Sequence, residues 1–472
     1  MTDGPRRTSR GAAAHRTWRR FLSQFVLGLW VGLALVIVSR AGFLEPLQLI
    51  WYDALLSVQD EPPPKHVKMV VVREEDFRAW GAPTIPEKFP RAMLAALVER
   101  LSQAGVAVIC IDLFLDRPAA PREDEALRRA FVAARGRGTK VIVACDARGR
   151  ALPVNPPFAG LVERACANLR LGPSHEVRWL DPVVRTTAGP LPSMAALAYR
   201  ELRGRLVARG LNPPQPPRRA VPIRFWPAGR SYGTYSARQI FLRHVEKGEK
   251  PIARQVLAAW LQDAAVIIGR EDAGSQDVHW VPVHQGARAD SRRFIRMPGM
   301  EVQANCLATL LSHRSPRMGS PVVDCAIAVT AAGLISFLLV WFGLGWGSVI
   351  SSLVVLIGGT WISLRVFGST GYVVNLSPIW LALLLQAYFT NRGEQKRLKQ
   401  WLGAMVSDRV ARGLGRTVEP VAGEGYTTQM VVLNFDLRRS TQAAARLAPH
   451  EVGPLFNRVL AAVCHVVLEN GG

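Results

Sequence analysis

Four long apolar segments constrain this chain more than any other feature of its sequence. They read FLSQFVLGLWVGLALVIV (21–38), VVDCAIAVTAAGLISFLLVWF (322–342), GSVISSLVVLIGGTWISL (347–364) and YVVNLSPIWLALLLQAYF (372–389). Each approaches the ~20 residues that a helix needs to cross the hydrocarbon core of a bilayer. Core helices of a soluble protein would rarely give three such runs with only short breaks between them. The pattern therefore predicts an integral membrane protein in contact with the lipid bilayer.

The cations beside these segments predict their orientation, because the cytoplasmic flanks of membrane helices are rich in Lys and Arg. The flanking cations are Arg6, Arg7, Arg10, Arg16, Arg19 and Arg20 before the first segment, and Arg392, Lys396, Arg397 and Lys399 after the last. Four crossings place both chain ends on one side of the membrane. Both termini are therefore predicted to be cytoplasmic, in a multi-pass protein of the cell inner (plasma) membrane.

These expectations divide the chain into successive regions. The predicted regions are a basic cytoplasmic tail (1–20), a first transmembrane helix (21–39), an extracytoplasmic domain (41–318), and three further transmembrane helices (320–342, 346–365 and 371–390). The first segment could instead be a cleaved signal peptide. A retained anchor is favoured, because SRAGF (39–43) offers no small-x-small cleavage site.

The chain is strongly basic, with 59 Lys+Arg against 36 Asp+Glu and a net charge of +23. Such a charge first suggests nucleic acid as a partner. The arginines are scattered rather than concentrated in one domain, however, and no sequence signature of a nucleic-acid-binding module is present. We therefore expect no nucleic-acid partner, and we attribute the charge to membrane-flanking cations and general arginine usage.

The predicted extracytoplasmic region alternates short apolar runs with helical periodicity. The runs typical of buried strands are KMVVVRE (68–74), VAVICID (106–112), KVIVACD (140–146) and AAVIIG (264–269). Apolar residues at three-to-four spacing predict helices over 89–101 and 123–134. The alternation predicts a mixed α/β domain.

Two carboxylates of this region lie at element ends. Asp112 ends a predicted strand and Asp124 opens a predicted helix. Ligands collect at the carboxyl edge of parallel sheets, so either side chain could line a binding site. Capping a helix or closing a turn is the more common role of such residues.

Four of the six cysteines, Cys110, Cys145, Cys166 and Cys306, fall in the same region. An extracytoplasmic compartment permits disulfides, and a Cys110–Cys145 bridge is conceivable because both residues lie in strand-like runs. The spacing indicates no disulfide framework, so buried free thiols are favoured.

The same region resembles the second class of CHASE-type extracytoplasmic sensory domains. The resemblance rests on IDLFLD (111–116), NLRLGPSHEVRWLDPVVRT (168–186), AVIIG (265–269) and MPGMEVQANCLATLL (297–311). The family's Pro-Gly-x-Glu-x-x-Ala-Asn run is matched by Pro298, Gly299, Glu301, Ala304 and Asn305. One departure is Pro182, where the family usually has glycine. The resemblance implies an environmental sensor with an unknown ligand, one anchor before it and three spans after it.

The region beyond the fourth segment begins with polar, helix-prone sequence. Residues 391–425 predict a signalling helix followed by a Gly-rich linker. The helix could pair with its copy in a second chain or lie on the membrane surface. MVVLNF (430–435) then predicts a strand, and two helices follow, the second ending at Gly471. Ser440 or Thr441 could cap the first of these helices. Asp436 comes where the strand ends, a position that suits either a turn residue or an Mg²⁺ ligand.

This terminal segment resembles the opening of a class III nucleotidyl cyclase domain, whose strand reads Phe-x-Asp-Ile-Arg-Gly-Phe-Thr. Matching positions are Asp436, Leu437 (for isoleucine), Arg438, Thr441, Asn457, Arg458, Gly471 and Gly472. The departures are Asn434, Arg439 and Ser440, which replace phenylalanine, glycine and phenylalanine. Residues 426–472 would then form the N-terminal part of a ferredoxin-like α+β catalytic domain.

The cyclase resemblance implies a two-ion Mg²⁺ or Mn²⁺ site and a homodimer acting on ATP, or less readily GTP. Asp436 and the Leu437 carbonyl would bind metal, while Arg439, Ser440 and Thr441 would contact the nucleotide phosphates. The family's remaining catalytic residues follow the Gly-Gly pair, so these 472 residues are expected to be catalytically incomplete. The alternative is a sensory membrane protein without catalysis.

Overall fold

The computed structural model folds as two units, Met1–Leu383 and Leu384–Gly472. It describes residues 25–35, 37–38, 41–58, 62–83, 89–146, 156–172, 175–187, 189–226, 232–241, 252–272, 277–282, 295–313, 315–319, 321–342, 346–374 and 440–470, with isolated positions at 18, 22, 376, 379–381, 384–385, 388, 392, 433, 435–436 and 438.

Fifteen strands lie among the described residues, all in the first unit. They are β1 (Val67–Val72), β2 (Val108–Phe114), β3 (Lys140–Cys145), β4 (Glu163–Cys166), β5 (Arg170–Leu171), β6 (Val177–Leu180), β7 (Val183–Thr186), β8 (Gly189–Pro192), β9 (Val221–Pro222), β10 (Gly233–Ser236), β11 (Ala265–Arg270), β12 (Val278–Val281), β13 (Ile295–Pro298), β14 (Arg317–Met318) and β15 (Tyr372–Val373).

The helices occur in both units. Those of the first unit are α1 (Phe25–Leu35), α2 (Glu45–Val58), α3 (Glu74–Trp80), α4 (Arg91–Gln103), α5 (Pro121–Gly136), α6 (Met194–Ala208), α7 (Ala237–Phe241), α8 (Arg254–Leu261), α9 (Gly299–Leu311), α10 (Pro321–Phe342) and α11 (Trp346–Thr370). The second unit contains α12 (Ser440–Arg446) and α13 (Pro449–Glu469), and a short 3₁₀ helix at Pro156–Phe158 belongs to the first.

A six-stranded parallel sheet organises the first unit, with the strand order β10-β1-β11-β2-β3-β4. The four central strands are almost entirely buried, because a parallel sheet is covered by helices on both faces. Their apolar runs were visible in the sequence, and the predicted mixed α/β domain is confirmed. β11 lies between β1 and β2, although it comes last of the six along the chain.

Side chains that alternate along the strands supply two hydrophobic cores. One core lies under α6 and α9 and includes Met69, Cys110 and Ile267. The other lies under α3, α4, α5, α7 and α8 and includes Val70 and Ile109. Neighbouring residues of one strand therefore enter opposite cores, as the twofold repeat of a strand requires.

The positions of the cysteines differ from one sequence expectation. Cys110, Cys145, Cys166 and Cys306 are buried, and the structure joins no two of them by a disulfide, as favoured from the sequence. The conceivable Cys110–Cys145 pairing does not occur, because Cys110 lies opposite Ile142 in the β2–β3 ladder. Cys145 instead lies opposite Cys166 on β4, a strand whose polar sequence ERAC gave no sign of a strand.

The apolar helices of the first unit pack on one another. Among the described residues, Ser352–Thr370 is the one helical stretch long and apolar enough to cross a membrane by length and composition, while Phe25–Leu35 and Cys325–Ile335 are shorter. A Cβ on Gly333 of α10 would meet the Phe25 ring of α1 at 3.3 Å, so these two helices are in close contact.

The helix and strand bounds near residue 370 differ from those predicted for the last two apolar segments. α11 continues to Thr370 rather than ending at 365, and Tyr372 and Val373 form β15 rather than part of a helix beginning at 371. Gly371 adopts φ 73°, which terminates the helix and turns the chain so that β15 pairs with β14. Residues 379–381 are helical again.

The second unit confirms two of the predicted helices in the described part of the chain. α12 begins at Ser440 and α13 ends at Glu469. Leu433, Phe435 and Asp436, which belong to or follow the predicted strand, lie outside helices and strands. The rest of that strand and most of the predicted signalling helix and linker (391–425) fall outside the described residues.

Substitution of Gly269 tests how closely α9 packs on the sheet. A Cβ at Gly269 in β11 would lie 2.6 Å from the Met300 Cβ of α9, so the helix would have to shift. We expect Gly269→Ala to lower the free energy of unfolding by about 1–3 kcal/mol. Thermal unfolding of the purified full chain in detergent measures the loss.

The matched control is Gly204→Ala on α6, where an added Cβ meets no atom within 4 Å. This change should leave stability unaltered or raise it by about 0.5–1 kcal/mol, since alanine favours a helix. Equal effects of the two substitutions would contradict the close approach of α9 to β11.

Candidate functional site

The sheet reverses its connections beside the carboxyl end of β11. β1 and β2 lead into α3 and α5, which cover one face, whereas β11 leads towards α9 on the opposite face. Adjacent strands whose connections leave on opposite faces open a crevice at their carboxyl ends, which is where ligands bind in open α/β sheets. We call the carboxyl ends of β1, β11 and β2, with the start of α9, the switch-point edge.

Ion pairs shape the rim of the switch-point edge. Arg73 follows β1, and its Nη2 lies 2.8 Å from Glu271 Oε2 at the end of β11. Arg270 makes a bidentate pair with Asp272, at 2.8 and 2.7 Å, and its guanidinium lies over the Phe77 ring. These contacts fix the β11 end against the helix that follows β1.

A tight contact at the start of α9 explains the Pro-Gly-x-Glu sequence. The Gly299 N–H donates to the Asp277 carbonyl at 2.9 Å, and a Cβ on Gly299 would collide with the Asp277 carboxylate in its present position. That carboxylate also contacts His279 Nε2 at 2.9 Å. The absence of a side chain at Gly299 therefore lets the acidic side chain rest on the first turn of the helix.

Two carboxyl groups at this edge hold protons more tightly than usual. Burial, reinforced by the nearby charge of Asp277, raises the pKa of Asp112 to about 8. Burial, reinforced by Glu271, raises the pKa of Glu301 to about 7. Both groups therefore change charge near neutral pH, where an ordinary carboxyl group is fully ionised.

The sequence offered two roles for Asp112 and Asp124, and the structure separates them. Asp112 stands at the switch-point edge, in the binding-site position. Asp124 is buried in the first turn of α5, where it accepts a hydrogen bond from the Ala119 N–H at 3.0 Å and pairs with Arg91 at 3.7 Å. Asp124 therefore has the structural role.

A small cleft opens farther along the same carboxyl edge, past β4. It is open to solvent, has room for about one water molecule, and is lined by residues that include Asn168, Arg170, Trp179, Asp181, Ser193 and Gln303. Gln303 Nε2 donates to the Ala167 carbonyl at 2.9 Å, while its buried Oε1 accepts no hydrogen bond from the described residues. The cleft can thus take a water molecule or a small donor group against Gln303.

A buried ion triad joins α2 to the α/β part of the first unit, β1 to β13 with α3 to α9, which we call the sheet domain. Arg178 on β6 makes a bidentate contact with Asp53 on α2, at 2.5 and 3.0 Å, and its Nε lies 3.2 Å from Glu176. All three residues are at most 5% exposed. A side chain at Gly172 would collide with the Glu176 carboxylate, at 2.6 Å.

The residues preceding Asp53 connect α2 to further parts of the unit. The Tyr52 hydroxyl donates to the Ile223 carbonyl at 2.8 Å, next to the sheet domain. Trp51 Nε1 donates to the Val374 carbonyl at 3.1 Å and to Ser363 Oγ at 3.2 Å, at the end of the apolar helices. Consecutive residues of α2 thus bind the sheet domain and the apolar helices.

The residues predicted to bind metal and nucleotide lie in the second unit. Asp436 and Arg438 are exposed, and Ser440 is the half-buried first residue of α12. Leu437 and Arg439 fall outside the described residues, and Thr441 is placed in α12 without a description of its side chain. The predicted site residues are therefore close in the chain, but no assembled site is described around them.

The described residues supply too few ligands for the metal centre that the cyclase resemblance implies. A two-ion site needs further carboxylates beside Asp436. No group of three His, Cys, Asp or Glu residues that could hold a metal ion occurs in the described part of the chain. We therefore derive no catalytic step through a metal here.

Comparison with known protein families identifies the first unit as a sensor. A family model described as the CHASE2 domain matches residues 29–346, well over half of the chain, and the chain belongs to this family. CHASE2 domains are typically extracytoplasmic sensors that act in signal transduction. The match confirms the resemblance seen in the sequence of this region. It does not extend to the cyclase-like segment.

A comparison with curated proteins found no match, and a comparison with solved structures found none either.

Sequence reasoning missed the residues that link the elements of the sensor. Asp53 and Arg178 are 125 positions apart, and no periodicity connects them. Gln303 lay inside the quoted motif without being singled out, and Asp277 carried no pattern. A charged residue within the apolar sequence LIWYDALL (49–56) was the one available indication that Asp53 has a buried partner.

The raised pKa values predict a dependence of stability on pH. Folding favours the protonated forms of Asp112 and Glu301, so their contribution is full below the unfolded pKa values of about 4. It is lost as pH rises through about 7 and 8. We expect the free energy of unfolding to fall between pH 5 and pH 9, and Asp112→Asn to reduce that slope.

Thermal unfolding of the full chain at several pH values measures the slope. Glu125→Gln is a control, because Glu125 is an exposed carboxylate of α5 paired with Arg128. A slope that Asp112→Asn leaves unchanged would show that Asp112 does not hold its proton near neutral pH.

Removal of one member of the buried triad should be costly. Asp53→Ala leaves the Arg178 guanidinium buried with a single carboxylate, and we expect a loss of about 3–5 kcal/mol in the free energy of unfolding. Glu125→Ala breaks an exposed pair with Arg128 and should lower stability far less. Comparable losses for the two variants, measured by chemical unfolding in detergent, would rule out a tight link between α2 and the sheet domain.

Proposed function

We propose that this chain is a transmembrane receptor whose CHASE2 domain detects an extracytoplasmic signal and passes it through α2 and α9 to four membrane-spanning helices. In this proposal the predicted spans cross the inner membrane, and both chain ends are cytoplasmic. Three observations support the arrangement: the family match, the contact of α1 with α10, and the apolar length of Ser352–Thr370.

The main support for the receptor proposal is that α2 is bound both to the sheet domain and to the apolar helices. Asp53 is held by Arg178 of the sheet domain, while Trp51 is held by Ser363 of the apolar helix α11 and by Val374, which follows β15. A change in the sheet domain that moves Arg178 must therefore move α2 or break a buried ion pair. Movement of α2 is coupled to the helices through the Trp51 hydrogen bonds.

We further propose that the cytoplasmic output is a nucleotidyl cyclase that acts on ATP as a homodimer. The support is the resemblance around Asp436, which implies two helices after the strand; the structure has α12 and α13 there. Asp436 and the Leu437 carbonyl would hold the metal, and Arg439, Ser440 and Thr441 would contact phosphate. The ions, Mg²⁺ or Mn²⁺, would supply charge stabilisation at the α-phosphate.

A sensory protein without catalysis is the second candidate. Arg439 and Ser440 favour it, because they replace the glycine and phenylalanine of the turn that wraps the phosphates in cyclases. A bulky arginine in that turn would either distort it or contact phosphate itself. Nucleotide turnover separates the two candidates.

The test is cyclic AMP formation by the complete reading frame that encodes this chain, in membranes supplied with Mn²⁺ or Mg²⁺. We expect activity that Asp436→Ala abolishes, because a metal ligand is lost. Glu469→Ala, which changes an exposed residue of α13, should leave activity unchanged. Absence of turnover in the unaltered protein, or turnover that survives Asp436→Ala, would overturn the cyclase assignment in favour of the second candidate.

The same assay tests whether α2 transmits the signal from the sheet domain to the cytoplasmic output. Asp53→Asn keeps the shape of the side chain but weakens its pairing with Arg178, so basal activity should change while the Asp436 region is untouched. Unchanged activity in Asp53→Asn would contradict transmission through α2. Turnover by the unaltered protein would still support the cyclase assignment.

A further inference from the structure

Two cysteines of the CHASE2 domain are direct neighbours in the parallel sheet. Cys145 ends β3, Cys166 ends β4, and the two are register partners in the ladder that joins these strands. The Ala167 N–H donates to the Cys145 carbonyl at 3.2 Å, which continues the ladder past the pair. β4 is an edge strand of the sheet.

The side chains of both cysteines leave the same face of the sheet. The preceding register pair, Ala144 and Ala165, belongs to the core under α6 and α9. Successive residues of a strand alternate between faces, so Cys145 and Cys166 both point to the opposite face. In-register residues on one face of neighbouring strands are adjacent across the ladder, one strand spacing apart.

The spacing of the pair is compatible with a covalent bond. Neighbouring strands lie about 4.8 Å apart, and a disulfide joins Cα atoms that are roughly 4.4–6.8 Å apart. The other two cysteines of the domain have no such neighbour: Cys110 faces Ile142 and Ile267 in its ladders, and Cys306 lies in α9.

We propose that Cys145 and Cys166 form an intramolecular disulfide, so that β3 and β4 are covalently joined at the carboxyl edge of the sheet. The proposal rests on the extracytoplasmic location in the proposed function, since that compartment permits stable disulfides. The two thiols lose two protons and two electrons by exchange with a protein disulfide, which is reduced to two thiols.

The pair is oxidised while the domain folds. Cys145 and Cys166 are at most 3% exposed in the folded sheet, so an oxidant reaches them poorly, and burial raises the pKa of the Cys145 thiol, which leaves it little thiolate. A bond made before the edge strand closes is then protected from reductants in the same way.

The bond holds one wall of the cleft beside Gln303. Asn168 lies two residues after Cys166, donates to Asp146 Oδ1 at 2.8 Å and lines that cleft. Asp146 in turn follows Cys145 directly. Both partners of this hydrogen bond thus follow the proposed bridge, which keeps the edge strand from separating and widening the cleft.

The bond is tested by thiol counting on the full chain expressed in its native membrane orientation. Proteins are denatured and treated with a mass-tagged maleimide, with and without prior reduction. Of six cysteines, four should be tagged without reductant and all six after it, and mass spectrometry should find Cys145 linked to Cys166. Cys110→Ser and Cys306→Ser should retain the bond, whereas Cys145→Ser and Cys166→Ser should each abolish it.

The unfolding temperature gives a second test of the bond, beside the thiol count. A reductant should lower the unfolding temperature of the unaltered protein by several degrees, and it should have no such effect on Cys145→Ser. Six tagged thiols without reductant, or a link between other cysteines, would overturn the proposal.

The extracytoplasmic location of the CHASE2 domain is tested separately. A cysteine is introduced at Arg129 of α5, whose side chain is 72% exposed. In intact cells, Arg129→Cys should react with a membrane-impermeant maleimide. If it does not, the extracytoplasmic location fails, and the disulfide proposal is decided by oxidation of the reduced chain during refolding with oxidised glutathione. Formation of the 145–166 bond there supports the geometry, while its absence refutes it.

Discussion

The buried contact between Asp53 and Arg178 holds the two parts of the first unit in register. Removing charges from water is costly, and the attraction between them repays that cost only when the geometry is good. Here the contact is bidentate, and Glu176 occupies the remaining side of the guanidinium. If α2 slid or turned on the sheet domain, Asp53 would separate from Arg178 and a buried charge would be left without its partner.

The order of residues in α2 makes this contact useful for transmission. Trp51, Tyr52 and Asp53 are consecutive, so their side chains leave the helix about 100° apart. Trp51 binds Ser363 beside the apolar helices, while Asp53 binds Arg178 in the sheet domain. A rotation of α2 by a fraction of a turn would thus strain contacts on both sides at once.

The parts of the fold that could be predicted from sequence are the strands whose burial shows as a continuous apolar run in the sequence itself. The strands at 67–72, 108–114, 140–145 and 265–270 are continuous apolar runs, because both faces of a parallel sheet are covered. The edge strands β4 and β10 read ERAC and GTYS, and sequences this short and polar do not indicate a strand. The insertion of β11 between β1 and β2, and hence the position of the switch-point edge, depends on pairings that no local pattern encodes. Asp112 could be named as a candidate, whereas its proximity to Asp277 could not.

α9 connects the candidate site with the attachment of α2. Glu301 lies at its start, at the switch-point edge, and Asn305 and Thr309 follow at intervals of one turn. Asn305 accepts from the Trp226 N–H, and Thr309 accepts from the Arg224 N–H, so the helix holds the segment that contains Ile223. The Tyr52 hydroxyl binds the Ile223 carbonyl from the other side. A change of charge or ligand at the start of α9 therefore has an unbroken series of hydrogen bonds through which to reach α2.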